Sequence, residues 1–195
     1  SLIAWFLWSI SAFNYSSAEL TGLTLSVGLV MVSNGINVAH ELGHRPSVIM
    51  RTLSKLLLLP SLYMHFYIEH NYGHHYHVAT KEDSASAKYN QSVYSFWFTS
   101  IFGQYLSAWR IQLKLLKKKN VKYFSWYNDM LFYIFFQLVY LVFIYIIFGL
   151  KTMLFALLIS LISVILLETV HYLEHYGLSR KMKVLGSYER VQEMH

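Results

Sequence analysis

An all-α integral membrane protein, a bundle of transmembrane helices with histidine clusters at their cytoplasmic ends, is the fold class this 195-residue sequence predicts. Three observations lead there. The chain is 55% hydrophobic and only 13% charged, about half the charge of an ordinary soluble domain. It contains apolar runs close to the roughly 20 residues that cross a bilayer. Its ten histidines are clumped beside the ends of those runs.

Taken in order, residues 2–13 are apolar but short and read as the tail of a truncated span. Residues 20–42 form a full span that leads into His-Glu-Leu-Gly-His-Arg-Pro, where Pro46 predicts a helix boundary. Residues 53–68 are apolar, short and interrupted by Pro60, and read as an interfacial segment. Residues 79–92 are polar and loop-like. Residues 93–120 start aromatic and end in lysines, the pattern of an amphipathic helix lying on a membrane surface. Residues 130–150 and 152–173 are two further spans with a tight turn at Gly149 to Lys151. No linker or low-complexity stretch interrupts the chain, so residues 1–195 read as one catalytic transmembrane domain, in part. Ser1 opens inside an apolar run and His195 ends a polar one, so a piece of a longer protein is expected.

Charge orients these elements. Of the 16 Lys and Arg residues all but Lys151 fall in 45–122 or 180–190, which the two final spans return to one side. Basic loops stay on the cytoplasmic side, so that side is expected to be cytoplasmic and to carry the histidines. The net charge of +6 is then topological, and no nucleic acid is expected as a partner. The absence of cysteine excludes a disulfide scaffold, thiolate zinc, an iron–sulfur centre and a cysteine nucleophile.

The chemistry sits in three clusters. In His40-Glu41-Leu42-Gly43-His44 the imidazoles are four apart, on one helical face. Glu69-His70-Asn71-Tyr72-Gly73-His74-His75 repeats that spacing and adds His75, a density that packing alone rarely explains. Glu168-Thr169-Val170-His171-Tyr172-Leu173-Glu174-His175 ends the last span, and Glu168 is an ionisable group at membrane depth. Glu41, Glu69, Glu168 and Glu174 are placed to orient imidazoles or to bind metal themselves. Six or more nitrogen donors exceed one zinc site, and imidazole with carboxylate and no thiolate suits iron. His65 and His77 read as interfacial or packing residues.

HELGHR, EHNYGHH running into VATKEDSASA, and LETVHYLEHYGL together resemble the membrane alkane 1-monooxygenases, within the histidine-box di-iron oxygenases and desaturases. The resemblance covers about residues 20–195 and includes the tail SYERVQEMH, whose His195 matches a recurrent histidine. It implies a non-haem centre of two iron ions in the bacterial cytoplasmic membrane, facing the cytoplasm. The implied reaction is O2-dependent hydroxylation of medium-chain n-alkanes at the terminal carbon, giving primary alcohols. Electrons would come from NADH through rubredoxin reductase and rubredoxin, for which Lys114 to Lys122 offer a basic dock or simply topological charge. Carried over by position, the ligands are His40, His44, His70, His74, His75 and His175. His171 stands where these enzymes usually have asparagine, and a supporting role is expected of it rather than an added ligand.

Alternatives stay open at this level. A xylene-type monooxygenase or a fatty-acid desaturase or hydroxylase uses similar boxes. A membrane zinc metallopeptidase would use HELGH with a later aspartate, but Asp83 and Asp129 are in no intramembrane motif and the other clusters would go unused. A further HxxHH box is implied beyond His195, and the gene sequence past that residue is expected to encode it.

Overall fold

The computed structural model describes residues 2–183 and 188–190. Every extended element among them is helical, and the one bridge, Met182 to Tyr188, is isolated. Helix α1 is Leu2–Ala12 and α2 is Ser17–Gly43. Helix α3 is Val48–Leu58. Helix α4 (residues 66–77) is broken into Phe66–Glu69, His70–His74 and His75–His77. Helix α5 is Val93–Lys118. The long stretch Asp129–His175 is two helices, α6 (129–148) and α7 (150–175), parted at Gly149 with φ 82° and ψ 173°. Only glycine tolerates that backbone without strain. Two stretches, Ser17–Gly43 and Asp129–His175, are long and apolar enough to cross a membrane.

Two compact units emerge, one from residues 2–67 with 129–166 and the other from 68–128 with 167 onward. In the first, α2 begins at a capping box. Ser16 accepts from the Glu19 backbone, and the Glu19 carboxylate accepts from the Ser16 backbone at 2.8 Å. Phe6, Leu7 and Ile10 of α1, Val27 and Met31 of α2, Ile144 of α6, and Ala156 and Ile159 of α7 form one core. Gln137 and Ser160, at similar sequence distances from Gly149, both bond the 61–64 turn, so α6 and α7 double back on each other. Lys55 of α3 pairs with Asp129 at 2.8 Å and lies over the rings of Tyr67 and Tyr133. Leu138, Val142 and Ile146 of α6 face outward, 73% exposed at Ile146, an apolar surface suited to lipid.

Close approach in this unit is set by Gly28, where an added Cβ would stand 2.6 Å from Ile162 Cγ2. Gly28→Leu is therefore expected to destabilise the protein by about 1–3 kcal/mol. Gly22, with nothing within 4 Å of such an atom, is the control. Gly22→Ala is expected to stay within about 1 kcal/mol of wild type when both are unfolded in mixed micelles.

Candidate metal centre

The backbone departs from regular α-helix at two places that matter to the histidines. Met31–Ile36 within α2 is π-helical, directly ahead of the His40 box, and His70–His74 is itself a π-helical turn. Such wide turns shift the side-chain rows and concentrate at functional sites. In the first unit His40 is half-buried and His44 exposed, with ring centroids 4.7 Å apart and ligating nitrogens within 4.8 Å. Glu41 points away to an exposed ion pair with Arg45. His65 is buried against the Tyr63 ring at 4.3 Å, a core imidazole.

The second unit holds the denser set. His70 and His74 are buried, their rings stacked at 5.3 Å, while His75 is exposed with its ring 4.4 Å from that of His70. From α7, the ring of His175 comes within 4.9 Å of His74, and that of His171 within 6.0 Å. His77 is half-buried beside Tyr76, and His195 lies outside the described residues.

Carboxylates line this set. Asp83 Oδ2 meets His74 Nδ1 at 2.9 Å, and the same carboxylate accepts from Ser86 Oγ and the Ala85 backbone. Burial alone would raise the Asp83 carboxyl, but these bonds outweigh it and hold it below the usual range. A carboxylate on Nδ1 fixes the tautomer and leaves Nε2 as the electron-pair donor, the arrangement found behind many metal-binding histidines. Glu69 is 2% exposed, and its Oε2 has no hydrogen-bond partner among the described residues. Burial, with Asp83 nearby, pushes its carboxyl up to about 8. Glu69 tucks under the π turn because residue 73 is glycine: a Cβ there would stand 2.7 Å from Glu69 Oε1.

Glu168 is fully buried and clamped by α5, receiving Ser100 Oγ at 2.5 Å and Gln104 Nε2 at 2.9 Å. Its Oε2 also stands 3.4 Å from His171 Nδ1. Glu174 is exposed. Ser100 and Gln104 belong to the buried face of α5, which repeats every fourth residue as Phe96, Ser100, Gln104, Ala108, Gln112 and Leu116. Further bonds join the end of α7 to its surroundings: Trp97 Nε1 donates to Thr169 and Tyr172 OH to the Gln91 carbonyl.

Asp83, Ser100 and Gln104 were not among the sequence-derived site residues. A signal existed for each. Asp83 lies inside the KEDSASA motif, and Ser100 with Gln104 is a polar pair four apart in an aromatic-rich helical stretch. The donor set as a whole, imidazoles with buried carboxylates and one buried carboxylate oxygen lacking a partner, fits a hard or borderline cation such as iron.

Comparison with known proteins finds relatives over most of the chain. Alkane 1-monooxygenase 1 of Pseudomonas aeruginosa is 40% identical over 174 residues, 89% of this chain and 46% of that protein. Alkane 1-monooxygenase of Acinetobacter baylyi is 38% identical over 175 residues, 89% of this chain and 42% of its own length. Alkane 1-monooxygenase of Ectopseudomonas oleovorans is 32% identical over 190 residues, 96% of this chain and 47% of its own length. The chain thus spans about half the length of these curated relatives. A match to the family described as fatty acid desaturase runs over residues 18–194, and to that family the chain belongs.

Proposed function

We propose that this chain is part of a membrane monooxygenase that hydroxylates n-alkanes at the terminal carbon, using a non-haem centre of two iron ions. Its similarity to proteins named alkane 1-monooxygenase over nine-tenths of its length carries this reading. The histidine and carboxylate set of the second unit supports it. The ligands proposed are His40, His44, His70, His74, His75 and His175.

The balanced reaction takes one alkane, O2, two electrons and two protons to a primary alcohol and water. Bound iron supplies the reduction of dioxygen and the oxidising power needed at a methyl C–H bond. The chain's own residues bind and orient. Asp83 holds the His74 ring through Nδ1, which would leave Nε2 to bind the metal. The outward apolar faces of α6 and α7 let a hydrocarbon arrive from lipid without crossing water. Electrons are proposed to come from NADH through rubredoxin, and medium-chain alkanes are the proposed substrates. The proposed setting is the bacterial cytoplasmic membrane with the centre on the cytoplasmic side, in keeping with the lysine and arginine distribution.

The family match favours one second reading, a fatty acyl desaturase or hydroxylase. Product analysis with n-alkanes, xylenes and fatty acyl substrates separates them, and 1-alkanols are the expected product. Full-length protein is expected to bind about two irons. A single zinc with peptidase activity would end the proposal.

His70→Ala or His175→Ala is expected to abolish hydroxylation while membrane insertion persists. Retained turnover removes that residue from the centre. Asp83→Asn is expected to weaken iron binding by about 10- to 100-fold, read by titration against a chelator. Because the chain has no cysteine, single cysteines introduced over 81–90 report sidedness. Labelling from the cytoplasm is expected, and labelling from outside breaks the topology.

A further inference from the structure

We propose that the end of α5 and the loop that follows it, residues 114–127, form a docking surface for anionic phospholipid headgroups. The inference rests on the membrane setting proposed above, and on neither the metal centre nor the reaction.

Charge sets the kind of partner. Between Ser84 and Asn128 the sequence has seven basic residues and no aspartate or glutamate. Five of the seven, Lys114, Lys117, Lys118, Lys119 and Lys122, crowd into nine positions, and all five are exposed. Like charges held so close repel one another, and an anionic surface turns that cost into attraction.

Aromatic exposure sets where that partner lies. Phe124 is 81% exposed and Trp126 84%, with Tyr123 and Tyr127 exposed beside them. The backbone beneath them is fixed. Helix α5 ends at Lys118, and Asn120, at φ 53°, turns the chain back, with the Val121 backbone donating to the Leu116 carbonyl at 3.0 Å. Tyr123 then stacks on Trp109, ring centroids 5.8 Å apart and planes within 10°. Gln112 Nε2 donates to the Tyr127 carbonyl at 2.8 Å, and Asn128 Nδ2 to that of Tyr123 at 2.9 Å. A loop pinned this way keeps Phe124 and Trp126 bare.

Helix α5 extends the surface. Tyr94, Phe98, Phe102 and Leu106 are exposed and four residues apart, two positions out of step with the buried row Phe96, Ser100, Gln104 and Ala108. Two residues turn a helix by roughly 200°, so α5 has apolar side chains on opposite sides, one packed and one bare.

Rings interleaved with lysines are the composition of a bilayer interface, where rings sit among headgroups and ammonium groups meet phosphate. The segment also runs straight into Asp129–His175, long and apolar enough to cross a membrane. A soluble acidic protein would match the lysines, but one that comes and goes returns the rings to water. Lipid covers them continuously.

The test uses full-length protein with a single fluorophore on Phe124→Cys, in nanodiscs of phosphatidylcholine with increasing phosphatidylglycerol. Emission is expected to shift to the blue as phosphatidylglycerol rises. Replacing Lys118 and Lys122 by Gln is expected to raise the fraction needed for half the shift by about fivefold or more, with native helicity. Arginine at both positions keeps the charge and is expected to leave that fraction unchanged. The same label on Tyr89→Cys, a site also 84% exposed, is expected to stay aqueous. A label at 124 already shielded in pure phosphatidylcholine, or aqueous at every composition, overturns the inference. So does an unmoved half-point in the Gln variant, an equal loss in the Arg variant, or a shift shared by Tyr89→Cys. Shielding at 124 that appears only when an acidic rubredoxin is added assigns the surface to protein and overturns it too. Protein that stays out of nanodiscs altogether overturns the membrane setting with it.

Discussion

A carboxylate removed from water must find hydrogen bonds or positive charge, and in the second unit that requirement arranges everything around the histidines. Glu168 draws Ser100 and Gln104 inward from α5, which decides which face of that helix is buried. Asp83 folds the loop after α4 onto His74, closing it with bonds from Ser86 and the Ala85 backbone. The groups that satisfy the carboxylates are therefore the groups that hold the imidazoles. Removing one partner would leave a buried charge uncompensated, a larger cost than the lost bond itself.

Backbone irregularity is the second means of positioning. A regular α-helix would carry His70 and His74 on a single ridge, with Glu69 turned aside. The π-helical turn His70–His74 widens that ridge, and Gly73 leaves room for the Glu69 carboxylate beneath it. The helix α2 shows the same device ahead of its own histidine pair, through Met31–Ile36. Both irregular stretches contain glycine and asparagine, residues that hold regular helix weakly.

The first unit supplies a different service. Its core is aliphatic and aromatic, and its outer surface is apolar along α6. Lys55 is held by Asp129 and two tyrosine rings, which ties α3 to the start of α6.

By itself the sequence determined the all-helical class, the two stretches apolar enough to cross a membrane, and the clustering of histidine with glutamate. Hydrophobic runs and i, i+4 spacing are local properties that survive without a tertiary structure. The amphipathic reading of 93–120 marked a helix there, but not which of its polar residues turn inward. That was decided by Glu168, far along the chain, through bonds that join positions 64 and 68 residues apart. Asp83 had no local periodicity to reveal it, because loops carry none, and only folding brings it to His74. The π turn at His70–His74 escaped for the same reason that Gly73 did, since the Glu69 carboxylate packs beneath it. His171, read in the sequence as a supporting residue, meets Glu168 and His175 within α7 itself, and only the packing of α4 against α7 adds the ring of His74.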